Sequence, residues 1–358
     1  MNTLRFWIRS PTVSDDRLGD ASWNPTLTFN LPKRELQGED ADPVAVRNGR
    51  ELWLGVFDGM GGAGAAVYET AEGPRTGAYL ASRLAATTFR SWVGQQSGQA
   101  SVSRRADSLY AAMLAAFDAE HQVVGEQPSR IKGKLLATLP TTAAMIGIGF
   151  RGDGYSDCDV LWSGDSRVFL LSPKWGLLQV SADHLKQDFD AQQNLSGDSP
   201  LSNYVAAGRQ FYIEEAHVQV PNPALVLVAT DGCFGYVSSP VLFERLVLAA
   251  IAGTATWDEC RDELAASISK ITGDDASLAM VPLGWQSYEE MSESFTNRTE
   301  IVERYTKDLW LAQDAQETAQ EAARLAEQTS EFVRNQVWQE YRRTYHEKFH
   351  TWRSGEER

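Results

Sequence analysis

The sequence has little cysteine: Cys158, Cys233 and Cys260 are the three present in 358 residues. No two stand as Cys-x-x-Cys, so neither a disulfide framework nor a thiolate zinc site is suggested, and a reducing cytoplasm is the expected setting. Long apolar runs are lacking too. A run such as 246–253 falls far short of the roughly 20 residues that span a bilayer, so no membrane association is expected. Residues 1–10 carry Arg5 and Arg9 among a few apolar side chains and lack the continuous apolar stretch of a signal peptide. Positive charge is scarce, with 33 Lys and Arg against 48 Asp and Glu and a formal net charge of −15. That balance argues against nucleic acid or an anionic membrane as the main partner and makes a cation the more natural guest. Proline and glycine are absent from 288–352, which predicts one long helix or a helical pair there.

What is present is 43% hydrophobic residues, enough to bury one large core. The stretch 51–57 (ELWLGVF) reads as a buried strand that ends against Asp58-Gly59. Helical patterning covers 65–93 and 103–124, separated by the Gly/Gln/Ser stretch 94–99. Strands are expected over 141–150, 159–171, 224–230 and 277–282, with a turn at 173–176. The polar, pattern-poor stretch 183–222 reads as a surface flap. Intermixed strands and helices of this kind imply an α/β layered domain over 1–284, followed by a helical, coiled-coil-like extension over 285–358. In that extension apolar side chains recur at helical spacing from Val302, Tyr305 and Leu309 through Val333, Val337, Tyr341 and Tyr345 to Phe349 and Trp352. The stripe either packs on the first domain or offers a docking or self-association surface within 290–352.

Acidic residues stand beside glycine or another acid in several short segments: Glu39-Asp40-Ala41, Asp58-Gly59-Met60-Gly61-Gly62, Gly164-Asp165-Ser166-Arg167, Asp231-Gly232 and Gly273-Asp274-Asp275. Taken singly, Asp-Gly is first of all a turn dipeptide. Taken together, carboxylates that converge raise each other's pKa and need cations to stay ionised. Hard oxygen ligands choose Mg²⁺ or Mn²⁺ over zinc or copper.

In order and spacing, these segments, with Pro140-Thr141-Thr142, Thr230 and Ala276-Ser277, closely resemble the metal-dependent type 2C serine/threonine protein phosphatase family, especially its bacterial members. The resemblance covers roughly 34–281. It implies a four-layer α-β-β-α sandwich of two antiparallel sheets flanked by helices. It also implies that Asp58 bridges two Mg²⁺ or Mn²⁺ ions, with the Gly59 carbonyl on one and Asp231 and Asp274 on the other. Glu39 and Asp40 would hold waters on the metals, Asp165 would help bind a third metal, and the loop 184–222 would be the family's flap. Two cations lower the pKa of a shared water and neutralise phosphate oxygens during in-line displacement. The substrate implied is a phosphoserine or phosphothreonine protein in the cytoplasm, with a cognate bacterial-type Ser/Thr kinase acting in opposition. Arg34 is the candidate phosphate clamp, because a guanidinium engages phosphate oxygens bidentately. It stands six residues before Asp40 where the family has five, with Glu35 at the family's position, so a lone surface arginine is the other reading. Gly38 replaces the common Asn and Pro140 the common Gly, and neither change removes a ligand.

Other patterns have plainer readings. His346-Glu347-Lys348-Phe349-His350 matches the zinc-protease pattern but lies in the tail with no room downstream for a third ligand. Gly61-Gly62-Ala63-Gly64 lacks the Gly-Lys-Ser/Thr of a nucleotide loop. Cys233 reads as packed rather than nucleophilic, and His184 as structural. The competing class of function is a phosphatase-fold binding module, catalytically weak or inactive, that acts through its C-terminal helix.

Overall fold

The apolar run 51–57 forms strand β3 (Glu51–Val56), whose two faces are buried against different partners. Leu52, Leu54 and Val56 face one apolar cluster, while Trp53 and Phe57 face another. The strand's alternation is therefore invisible in a sequence that is apolar at nearly every position. The computed structural model describes residues 25–34, 38–70, 73–96, 105–124, 137–186 and 200–354. Segment 1–10, Glu35 and residues 187–199 of the expected flap lie outside the described residues, as do the side chains of Phe349, His350 and Trp352.

Within Met1–Val302, one antiparallel sheet has the order β12 (Glu214–Pro221), β8 (Tyr155–Ser163), β7 (Ala143–Phe150), β3, β2 (Val44–Asn48). The other has the order β1 (Leu27–Leu31), β14 (Ala276–Leu283), β13 (Ala224–Ala229), β9 (Arg167–Ser172), β10 (Gly176–Gln179). Their inner faces meet through Leu54, Ile146, Val160, Val226, Val228 and Val281, all fully buried. On the outer face of the first sheet lie helices α1 (Gly77–Gln95) and α2 (Arg105–Val124). There Trp53 meets Trp92 edge-on at 5.2 Å, with Phe89, Met113 and Phe117 in the same cluster. Gly147 of β7 makes room for that indole, since a Cβ there would fall 2.5 Å from it. The second sheet carries α3 (Asp231–Phe234), α4 (Pro240–Ala252) and α5 (Trp257–Ile271), and Phe169 packs on both Phe234 and Phe243 at 5.4 Å. This is the sandwich of two antiparallel sheets flanked by helices that the sequence implies.

Several local expectations change. The helix expected over 65–93 begins only at Gly77. Before it, β4 (Val67–Thr70) and β5 (Gly73–Thr76) form a hairpin. Pro74 biases the residue before it toward extended backbone. Thr76 then caps the helix, its Oγ1 accepting from the Tyr79 N–H at 3.1 Å. The polar stretch 183–222 is not all loop, because Glu214–Pro221 within it is the edge strand β12, paired with β8 from Glu214↔Trp162 to Pro221↔Tyr155. An edge strand with one wet face reads as polar. Strands β1 and β2 and helices α4 and α5 lie in stretches where the sequence pattern sets no element. Two short strands, β6 (Thr138–Thr141) and β11 (Val205–Ala207), pair beside the site described below.

The C-terminal helix α6 (Tyr288–Ser354) is uninterrupted. Its first turns belong to the compact unit that ends at Val302, burying Tyr288, Met291, Phe295 and Val302. From Glu303 onward it forms a unit of its own, in which Tyr305, Val333, Val337, Tyr341 and Tyr345 of the stripe are exposed. Among the described residues no helix is long and apolar enough to cross a membrane.

Candidate functional site

Antiparallel pairing brings the acidic segments to one end of the sandwich. The C-terminal end of β3 pairs with the start of β7 (Val56↔Ala144), and the start of β7 with the end of β8 (Ala143↔Ser163). In the other sheet the start of β9 pairs with the end of β13 (Arg167↔Ala229), which pairs with the start of β14 (Ala229↔Leu278). Asp58 follows β3, Asp165 lies between β8 and β9, Asp231 follows β13, and Asp274 and Asp275 precede β14. The segment carrying Glu39 and Asp40 crosses this same end between β1 and β2.

Each acid is fixed by named contacts. The Asp58 carbonyl accepts from Thr141 Oγ1 at 2.6 Å and from the Thr142 N–H at 2.9 Å, so Thr141 and Thr142 hold the end of β3. Ala41 N–H donates to the Phe57 carbonyl at 3.0 Å, and Asp40 Oδ2 accepts from Thr230 Oγ1 at 2.9 Å. Asp275 accepts backbone N–H bonds from Lys33 and Glu39, which makes it an anchor for the crossing segment. Glu39 Oε1 accepts from Thr76 Oγ1 at 2.6 Å. Arg83 on α1 donates to the carbonyls of Gly38 and Glu39, both at 3.1 Å. Two glycines are set by close approach. A Cβ at Gly59 would fall 2.5 Å from the Glu39 carbonyl oxygen, and one at Gly232 would fall 1.8 Å from the Asp275 carbonyl. The Asp-Gly pairs are therefore more than turns: the backbone must come this near for the acids to assemble.

The electrostatics follow from crowding. Burial lifts the Asp58 carboxyl well above its ordinary range, and the charges of Asp40, Asp231 and Asp165 lift it further. Burial raises Asp40 to about 7, against the hydrogen bonds it makes with Asp58 and Thr230. Burial likewise raises Asp165 to about 8, with Asp231 adding to it, and Asp231 to about 6, with Asp274 adding to it. Glu39 is raised by burial, with its Thr76 hydrogen bond opposing. Asp40 Oδ1 and Asp165 Oδ1 are buried with no hydrogen-bond partner. Among the described residues no three Asp, Glu, His or Cys side chains are already drawn in around one point. What the fold supplies is a cluster of hard oxygen donors, two of them buried and unsatisfied, whose charged forms are disfavoured without a counter-charge. That donor set fits Mg²⁺ or Mn²⁺.

Not every expected residue joins the cluster. Arg34 is exposed, and among the described residues no hydrogen bond or ion pair ties it to the acids. Asp274 is exposed at the rim, its Oδ1 accepting from the Asp275 N–H at 2.9 Å. Thr76, Arg83 and Asn203 were not singled out from the sequence. A capping threonine after Gly-Pro is a readable signal for Thr76, whereas nothing local marks Arg83. Asn203 Nδ2 donates to Ser163 Oγ at 3.0 Å, beside the turn that carries Asp165. His184 is structural, as the plainer reading had it. Its Nδ1 accepts from the Gly164 N–H at 3.0 Å, so Nε2 carries the proton toward Glu214 at 2.8 Å. All three cysteines are buried, and burial pushes their thiols up, Cys158 to about 12 and Cys260 to about 11. None is poised as a thiolate nucleophile. His346 of the zinc-protease match lies on α6 against Tyr345 and Trp338, and the side chain of His350 lies outside the described residues.

Arg167 and Asp183 form a bidentate pair at 2.9 and 2.6 Å, each side chain only 4% exposed. Removing one partner leaves a buried charge uncompensated. Asp183→Ala is expected to lower unfolding free energy by about 3–5 kcal/mol, read from urea denaturation.

No protein-family model and no curated protein matches the chain. Solved structures do. The S. agalactiae serine/threonine phosphatase is 15% identical over 73% of this chain and 100% of its own, with a TM-score of 0.52. A bacterial serine phosphatase is 13% identical over 73% of this chain and 97% of its own, with a TM-score of 0.52. A C. elegans sex determining protein is 17% identical over 76% of this chain and 68% of its own, with a TM-score of 0.55. At such identities the likeness is one of fold, and the fold is shared with the two phosphatases.

Proposed function

We propose that this chain is a metal-dependent protein phosphatase that hydrolyses phosphoserine and phosphothreonine in protein substrates, acting in a bacterial cytoplasm against a cognate Ser/Thr kinase. The observation that carries the reading is the gathering of Asp40, Asp58, Asp165 and Asp231 at one end of a phosphatase-type sandwich, with Asp40 Oδ1 and Asp165 Oδ1 buried and unsatisfied. In this reading Asp58, the Gly59 carbonyl, Asp231 and Asp274 hold two Mg²⁺ or Mn²⁺ ions, and Asp165 a third. Cations held there would make a water more acidic near neutral pH and would offset the charge of the phosphate. Glu39 and Asp40 would orient a water there and could accept a proton from it. Thr76 sets the rotamer of Glu39, and Arg83 holds the Gly38 and Glu39 carbonyls in place. Arg34 is assigned to the phosphate oxygens from the sequence resemblance. Its exposure favours, as a second reading, a phosphatase-fold binding module of weak or no turnover.

The test is phosphate release from a phosphothreonine peptide by the purified full chain. Release is expected in Mn²⁺, none in EDTA, and recovery when Mn²⁺ is restored. A folded protein shown by titration to hold Mn²⁺, yet releasing no phosphate, would favour the binding module.

A further inference from the structure

We infer that the helix from Glu303 to Ser354 pairs antiparallel with the same helix of a second copy of this chain. This segment is a unit of its own and helical throughout. At 1.5 Å per residue it is about 78 Å long. Leu325, Phe332, Val337, Trp338, Tyr341 and Tyr345 lie along it with 43–64% of their surface exposed. Apolar side chains in such number along one element mark a surface that is covered by something.

Size and charge both point to a second copy in reverse orientation. Tyr305, Ala312, Ala319, Ala326 and Val333 recur every seven residues, the spacing of a two-helix seam. After Tyr305 the seam positions of the first half, Ala312, Ala319 and Ala326, are all alanine, while bulky Phe332, Val333, Val337, Tyr341 and Tyr345 lie in the second half. Antiparallel pairing sets each copy's bulky half against the other's small half. Parallel pairing would crowd rings at one end and leave alanines facing a gap at the other. The charges divide at the same place. Residues 303–328 hold six acids and three bases, and residues 329–354 hold three acids and five bases. Reversed copies place the acidic half against the basic half, whereas parallel copies oppose like with like. The midpoint falls near Gln328 and Thr329, which places Ala312 of one copy beside Thr344 and Tyr345 of the other.

The native cysteines are all buried in the first unit, so a cysteine introduced in the tail is the one accessible thiol among the described residues. The test uses the full chain. Ala312→Cys protein mixed with Thr344→Cys protein is expected to give a disulfide-linked dimer on mild oxidation, with neither variant linking efficiently to itself. Sedimentation equilibrium of the unmodified chain is expected to give a dimer that weakens several-fold as salt rises. Val333→Glu with Val337→Glu is expected to give a monomer of unchanged far-UV circular dichroism. A monomer for the unmodified chain, self-linking of each single-cysteine variant, or a dimer indifferent to the two glutamates would each overturn the proposal. Phosphate release does not enter the test, so its outcome is independent of the catalytic reading.

Discussion

Asp58→Asn is expected to lower phosphate release in saturating Mn²⁺ by more than about 100-fold, beyond the loss usual for residues that only support a metal ligand. The substitution is nearly isosteric. The backbone around it is fixed by Thr141 and Thr142 through the Asp58 carbonyl, which asparagine retains, so β3 and its turn keep their shape. What changes is charge. Burial and three neighbouring carboxylates already oppose ionisation of Asp58, and an amide removes the strongest of those conflicts. The cation-free variant is therefore expected to unfold at a higher temperature than the unmodified protein, while activity falls. Opposite signs in the two measurements separate a lost ligand from a damaged fold, since misfolding would lower both. Asp153→Asn, which alters an exposed pair with Arg151 far along the chain, serves as the control and is expected to change neither. Retention of most of the activity by Asp58→Asn would remove Asp58 from the centre of the reaction.

The parts of this site that are legible in the sequence are those encoded within a few residues. An apolar strand running into Asp58-Gly59, and another running into Asp231-Gly232, are local facts, and the fold places both where the pattern puts them. The glycines also carry information that a turn alone does not explain, because Gly59 and Gly232 are demanded by the backbone carbonyls of Glu39 and Asp275. What escapes a sequence reading is contact between distant segments. Thr230 reaching Asp40, Asp275 capping the N–H groups of Lys33 and Glu39, and Arg83 clamping two carbonyls join residues tens to hundreds of positions apart. The sequence pattern starts α1 too early because 65–72 contains nothing hostile to a helix. The decisive signal is Gly73-Pro74 followed by the capping Thr76. Strand β12 was hidden for another reason: it is an edge strand, and its alternation is diluted by polar side chains on the face toward water.

In EDTA the protein is expected to lose stability steadily as pH rises from about 4 to about 8, and Mn²⁺ is expected to cancel that loss. An unfolded aspartate gives up its proton near pH 4. In the folded chain burial holds the proton on Asp231 to about 6, on Asp40 to about 7 and on Asp165 to about 8. Across that window the folded state binds more protons than the unfolded state, so stability falls with rising pH, and the fall ends once the folded groups have ionised. The lowered carboxyls Glu51 and Asp153 act in the opposite direction but finish titrating below about pH 5, which leaves the higher window to the cluster. A cation favours the ionised acids and displaces their protons, so its stabilising effect grows with pH. Melting temperatures in EDTA and in Mn²⁺ are expected to differ little at pH 5 and by about 5 °C or more at pH 8. Asp165→Asn is expected to flatten the upper part of the EDTA profile, between about pH 7 and 8, and to leave the lower part in place. A profile already flat above pH 5 in EDTA would mean that the acids ionise without a counter-charge, and the case for cations at this end of the sandwich would lose its electrostatic basis.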